Sequence, residues 1–291
     1  MSMQRPIGTI GVIGSGVMGS GIAQVAVEAG FDVRLFDISE KLLENAVLSI
    51  TKFINRAAEK GKYTQTEADE TVARITTTIT LDEFASCDVV IEAAPERLDL
   101  KQGLFRDLER IAGEDAILAT NTSTLSVTEI ASAVQHRERV VGMHFFNPAP
   151  LMPLVEVIAG TDTSDTVVDT TIDLARTMGK KPVRAKDVPG FIVNRVARPF
   201  YLEGLRILND SVIDPATLDR LVREGGGFKM GPFELMDLIG IDVNYAASQS
   251  VYEQYFHEPR FRPSLLQRRM VESGRLGRKS GRGWYDYEDK K

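Results

Sequence analysis

The chain has 291 residues, 43% apolar and 26% charged, the make-up of a water-exposed globular protein with room for one or two cores. Its 35 basic and 41 acidic residues leave a net charge of −6, which argues against a general nucleic-acid surface and makes any anionic ligand depend on a local basic patch. No run of eighteen apolar residues occurs, so no membrane span is expected. The opening MSMQRPIGTI lacks the apolar core of a secretion signal, and one cysteine (Cys87) with three scattered histidines makes neither an internal disulfide nor a good metal site. A reducing, cytoplasmic, metal-free protein is expected.

In chain order, IGTIGVIG reads as a β-strand ending in glycine, followed by a helix with Met18, Ile22, Val25 and Ala26 at apolar positions. FDVRLFD is a second strand, ending at Asp37. A long helix follows, with Leu43, Val47, Ile50, Ile54 and Ala57 at helical spacing. Later strands are predicted at 88–94, 116–120, 139–144 and 154–158, then a helix at 165–178 and a strand at 181–186. Strands alternating with helices indicate βαβ units and a parallel sheet. Beyond KDVPGF (186–191) helical periodicity dominates. The expected architecture is therefore a Rossmann-like, doubly wound α/β domain over 1–187 and a smaller all-α domain over 188–291.

Gly14, Gly16 and Gly19 form G-x-G-x-x-G between the first strand and its helix. In a dinucleotide fold the first glycine makes the turn, the second admits a pyrophosphate and the third lets helix and strand pack closely. The pattern alone is weak. Here it follows a strand, opens a helix, and precedes a second strand ending in Asp37, eighteen residues past Gly19. Asp37 would accept bonds from ribose hydroxyls and repel a 2′-phosphate, so NAD is expected over NADP. Ile38 stands where a phosphate would want arginine. The competing reading is a glycine-rich turn of an unrelated α/β protein.

Hydride chemistry needs a proton acceptor near the substrate, and histidine suits that task. His136 lies in the charged QHRER and His257 in the late FHEPR, whereas His144 ends an apolar strand, RVVGMHFFNP. Ligands of doubly wound folds collect at strand carboxyl ends, which favours His144. The alternative is a core histidine. Glu156 interrupts the apolar LVEVI, and a carboxylate there is costly to bury unless paired. NPAPLMP could turn the chain so that the two strands lie side by side. Glu156 would then stabilise the imidazolium and fix its tautomer, or else be an edge-strand carboxylate facing water.

Asn121 and Ser123 follow a predicted strand in LATNTSTL, either as substrate donors or as a cap for a helix at 126–133. Asn194, in GFIVNRV, would need polar partners if buried. Lys52, Arg56 and Lys60 fall at i, i+4 and i+8, as a solvated face or as an anion site. A Ser123–His144–Glu156 hydrolase lacks a G-x-S-x-G elbow and leaves the glycine loop unexplained.

Several segments together, in order, resemble the L-3-hydroxyacyl-CoA dehydrogenase family, in particular its bacterial 3-hydroxybutyryl-CoA members. They are VIGSGVMGSGIA, LFDIS, VVIEAAPE, LATNTSTLSVTEIA, VGMHFFNPAPLMPLVEVI, DVPGFIVNR, GPFELMDLIGIDV and GRKSGRGWYDY, from about residue 5 to 287. The resemblance implies reversible oxidation of an L-3-hydroxyacyl-CoA with NAD as hydride acceptor. It implies His144 as general base, Glu156 as its partner, and Ser123 and Asn194 on the reacting part of the substrate. Gly14, Gly16, Gly19, Asp37, Glu96, Lys101, Asn121, Asn147 and Lys279 match cofactor positions. Lys60 matches a lysine near CoA, Phe53 stands where some members have serine, and Lys52 is a substitute candidate. A homodimer formed through the helical domain is implied. The competing functions are a 3-hydroxyadipyl-CoA dehydrogenase, a dehydrogenase of a free hydroxy acid, and a non-catalytic crystallin-type relative.

Overall fold

A computed structural model describes residues 6–287. The chain divides into two compact units, 1–188 and 189–291.

The first unit is one eight-stranded sheet with helices. β1 (Thr9–Ile13), α1 (Val17–Glu28), β2 (Asp32–Phe36), α2 (Glu40–Glu59), α3 (Gln65–Ala73) and β3 (Ile75–Thr78) form its first half. β4 (Val89–Glu92), α4 (Leu98–Ile111), β5 (Ile117–Thr120), α5 (Val127–Ala131), β6 (Val140–Phe145), β7 (Leu154–Ala159), α6 (Asp165–Thr177) and β8 (Lys181–Lys186) complete it. The sheet order is β3-β2-β1-β4-β5-β6-β7-β8, the double winding expected of alternating strands and helices. Strands β1, β4, β5, β6 and β7 are almost wholly buried, which is why they read as unbroken apolar runs.

Contrary to expectation, the sheet is not wholly parallel. β6 and β7 pair antiparallel, because the proline-rich turn between them reverses the chain within eight residues, too short for a helical crossover. β7 and β8 are again parallel to each other. Three helices or strands of this unit lie outside the expected set, α4, β3 and α3. β3 is a four-residue edge strand, ITTT, with no apolar alternation to mark it. α3 carries a readable signal: Thr64 and Glu67 form a capping box, S/T-x-x-E.

α2 shows what its periodicity does. Leu43, Ala46, Ile50 and Ile54 are buried on the sheet, each of the larger aliphatic side chains contributing about 2 kcal/mol relative to exposure. Val47 and Ala57, also on the predicted stripe, are only half-buried.

The second unit is helical: α7 (Val193–Asn209), α8 (Pro215–Gly226), α9 (Pro232–Ile239), α10 (Ile241–Gln254) and α11 (Leu265–Glu272). Its core joins Tyr201, Leu202 and Leu205 of α7 to Phe233, Met236 and Ile241. Two buried carboxylates bind the last segment to this core. Asp219 accepts bonds from Phe233 N, Glu234 N and the Tyr285 hydroxyl; Asp237 accepts from Trp284 N, Tyr285 N and the Tyr287 hydroxyl. Among the described residues no helix is long and apolar enough to cross a membrane.

Candidate active site

Gly14, Gly16, Asp37, Glu96, Asn121, Ser123 and His144 lie where β1, β2, β4, β5 and β6 end. Ile13, Glu92 and Thr120 are register partners across β1, β4 and β5, so the loops that follow them lie side by side.

The glycine loop follows β1. Gly14 has φ +93°, a region L side chains rarely enter, and a Cβ there would stand 2.8 Å from the Ala93 carbonyl oxygen. A Cβ on Gly19 would come within 1.7 Å of Gly14 O, so the start of α1 can pass over the loop only as glycine. Gly16 differs. Its φ of −64° suits any residue, and a Cβ there would meet no atom within 4 Å. Packing within the protein explains Gly14 and Gly19; the space at Gly16 fits a ligand backed by the N-terminus of α1. Asp37, just past β2, accepts bonds from Ser15 N and Ser15 Oγ, both 2.8 Å and both on Oδ2. These residues fit a dinucleotide. Ser15, inside the loop, is the contributor that the spacing argument missed.

The histidine and its acid come from the antiparallel pair. His144 and Glu156 are direct register partners on β6 and β7, so their side chains project from the same face. His144 Nδ1 is 2.8 Å from Glu156 Oε2, and the residues are 5% and 0% exposed. Sealed from water, the pair is a short charge-assisted contact whenever the ring is protonated. The Phe146 ring lies 4.5 Å from the imidazole.

Glu96 organises the segment after β5. Its Oε1 accepts bonds from the Thr122 hydroxyl (2.7 Å), Ser123 N (2.9 Å) and Thr124 N (3.1 Å). Burial would push the Glu96 carboxyl up, but Lys101, the Thr122 hydroxyl and the two amides together hold it below the usual carboxylate range. Asn121 carries its side-chain oxygen to Phe145 N at 2.8 Å, tying the β5 end to β6 beside His144.

Lys101 is buried against the end of β4. It is 1% exposed, and its ammonium lies 2.6 Å from Glu92 Oε1, 3.2 Å from Ala94 O and 3.4 Å from Glu96 Oε2. Two of its protons are hydrogen-bonded, to Glu92 and Ala94, and the ammonium forms an ion pair with Glu96, so Lys101 stands behind Glu96. Glu92 was missed, although it obeys the argument that singled out Glu156: a carboxylate in an apolar run, DVVIEAA, needs a partner.

The remaining predicted residues are exposed or belong to the second unit. Asn147 is exposed beside a cis bond to Pro148. Lys52, Phe53, Arg56 and Lys60 are all exposed on or just past α2. Asn194, in the first turn of α7, and Lys279, paired with Asp242 at 2.6 Å, belong to the second unit. A groove lined by Leu43, Val47, Leu48 and Thr77–Thr80 lies at the β3 edge of the sheet, whereas His144 is on β6. Among the described residues no group of three His, Cys, Asp or Glu side chains could hold a metal.

Comparison with known proteins identifies the family. Residues 9–188 match the family described as 3-hydroxyacyl-CoA dehydrogenase, NAD binding domain, and residues 190–287 match the 3-hydroxyacyl-CoA dehydrogenase C-terminal domain. The chain belongs to the 3-hydroxyacyl-CoA dehydrogenase family and carries its NAD-binding domain. It is similar to the 3-hydroxyadipyl-CoA dehydrogenase of Escherichia coli (strain K12), 47% identical over 98% of this chain and 60% of that protein. The chain thus spans 60% of the length of that relative. A probable 3-hydroxybutyryl-CoA dehydrogenase of Bacillus subtilis is 43% identical over 96% of this chain and 97% of its own. The crystal structure of (S)-3-hydroxybutyryl-CoA dehydrogenase from Ralstonia eutropha superposes with a TM-score of 0.93 at 39% identity, covering 97% of this chain and 99% of that one.

Proposed function

We propose that the chain is an NAD-dependent enzyme interconverting L-3-hydroxyacyl-CoA and 3-ketoacyl-CoA, with short acyl chains such as 3-hydroxybutyryl-CoA as substrate. The observation that carries this reading is the buried His144–Glu156 pair, 2.8 Å apart, in the same unit as a glycine loop with space at Gly16.

NAD, when bound, supplies the hydride acceptor. Gly14, Gly16 and Gly19 hold its pyrophosphate and Asp37 its ribose hydroxyls. Glu96, Asn121, Asn147 and Lys279 complete the cofactor site, with Lys101 supporting Glu96. With Nδ1 committed to Glu156, His144 takes the substrate hydroxyl proton at Nε2. Glu156 stabilises the imidazolium where positive charge develops. In the reverse direction the protonated ring donates to the ketone oxygen. Ser123 and Asn194 hydrogen-bond the reacting part of the substrate. Lys52 and Lys60 meet the CoA phosphates, which is how a protein of net charge −6 accepts an anionic substrate.

The functional division is a cofactor domain over 1–187 and a helical domain over 188–291 for substrate binding and dimerisation. Exposed apolar side chains of the second unit, Val196, Phe228 and Leu265 among them, support a homodimer. The proposed compartment is the cytoplasm and the proposed role fatty-acid β-oxidation. A second substrate reading, 3-hydroxyadipyl-CoA, is favoured by the name of the 47% identical relative.

The test is NADH oxidation with acetoacetyl-CoA, beside free acetoacetate, NADPH and a 3-ketoadipyl-CoA substrate. Turnover with acetoacetyl-CoA and NADH alone is expected. Equal turnover of free acetoacetate would replace this reading with a free hydroxy-acid dehydrogenase. Preference for the dicarboxylic thioester would move the substrate assignment to the adipyl class. Light scattering that reports a monomer would remove the dimer.

A further inference from the structure

Among the described residues, the least exposed ion pair of the first unit does no chemistry in the proposed mechanism. Lys101 comes from α4 and Glu92 from the last position of β4, and their side chains are 1% and 0% exposed. Burying two charges is costly, and such a pair is weak evidence for stability by itself. Its connections show what else it does. Lys101 reaches forward to Glu96 Oε2 at 3.4 Å, while Glu96 Oε1 takes the amides of Ser123 and Thr124 and the hydroxyl of Thr122. Glu92 reaches the same segment by a second route. Its Oε2 accepts the Thr120 hydroxyl at 2.7 Å, and the Thr120 oxygen accepts Thr122 N at 3.3 Å. Glu92 Oε1 also takes Ala94 N at 2.7 Å, fixing the start of the loop that carries Glu96.

We infer that the buried Lys101–Glu92 pair is the positioning device of the Thr122–Thr124 turn, and through it of Ser123. Lys101, 1% exposed, acts here as a positioning residue through Glu96. Without its cation, Glu96 would keep the amides and hydroxyls gathered on Oε1 but lose the charge that holds Oε2. A hydroxyl displaced by a fraction of an ångström loses much of its value to a reaction that depends on alignment. The inference rests on the proposed role of Ser123 only for its kinetic part; the structural part stands alone.

The test uses the whole chain. Glu92→Gln with Lys101→Met removes both charges together, so no lone ion is left buried. Lys101→Arg retains the charge, but its planar fork cannot replace an ammonium set between two carboxylates. Hydrogen exchange is followed on peptides covering 119–126, with peptides of β6 and β7 as internal reference. Both variants are expected to exchange faster over 119–126 and unchanged over β6 and β7. Unaltered exchange at 119–126 in Lys101→Arg would overturn the inference, whatever the enzyme turns over.

With acetoacetyl-CoA and saturating NADH, both variants are expected to lose kcat by about tenfold or more, as for residues that orient a functional group; any weakening of NADH binding through Glu96 is measured separately. In a Ser123→Ala background the same changes should cost little more, because the residue they act through is gone. Equal cost in both backgrounds, or a loss accounted for by NADH affinity, would refute positioning through Ser123. Absence of turnover in the parent protein would instead count against the proposed function, and the exchange result alone would then decide the role of the pair.

Discussion

Glu156 Oε2 lies 2.8 Å from His144 Nδ1 because the two residues are register partners across an antiparallel strand pair. The pair depends on register: a slip of one residue would turn Glu156 to the opposite face of the sheet. Glu156→Gln should keep the shape and a neutral hydrogen bond while removing the charge that stabilises the imidazolium. A fall in kcat of about tenfold to a hundredfold is expected. His144→Gln should fall much further while NADH still binds. Steady-state rates and NADH fluorescence titration check both, and full activity of either variant would remove the pair from the mechanism.

The glycine loop separates packing from ligand binding. Gly19→Ala puts a methyl group 1.7 Å from Gly14 O and should destabilise the first unit by about 2 kcal/mol or more, read as a drop in Tm. Gly16→Ala meets no atom within 4 Å, so its Tm should match the parent. NADH affinity should nevertheless fall by about tenfold, the cost of a methyl group where a pyrophosphate must approach. Unimpaired NADH binding in the Gly16→Ala variant would place the cofactor elsewhere.

Asp37 holds Ser15 by two bonds on one oxygen and would repel a 2′-phosphate. Asp37→Arg should weaken NADH use and improve NADPH use, shifting the ratio of kcat/KM by about tenfold or more. An unchanged cofactor ratio would show that Asp37 does not face the ribose.

Glu96 makes the acid limb of stability testable. Burial opposes its charge, yet Lys101 and the donors of Thr122, Ser123 and Thr124 hold the folded carboxyl below its ordinary value of 4.5. A carboxyl depressed by folding contributes stability that is present above the unfolded value and lost as pH falls through the folded one. Urea midpoints should therefore drop below about pH 4.5, the unfolded reference, and Glu96→Gln should flatten part of that slope. An identical slope in the variant would contradict the assignment.

Much of this was readable one element at a time. The spacing of Gly14, Gly16 and Gly19 after a strand, and an acid eighteen residues on, carry their meaning locally. So do the apolar stripe of α2 and the run of buried strands. His144 and Glu156 were each suspect for a local reason, a polar residue in an apolar strand. The same reason applies to Glu92, which lies inside the expected strand 88–94.

Backbone sterics and hydrophobic period act over a few residues. They set the type and order of the elements, the nucleotide loop and the short list of polar residues out of place in an apolar run, all of it legible along the chain. Which of those polar residues meet was settled only on folding. The reversal of β7 put Glu156 across from His144, and the packing of α4 on the sheet brought Lys101 onto Glu92. A buried charge must find its partner wherever the fold brings one, and no local period encodes that distance.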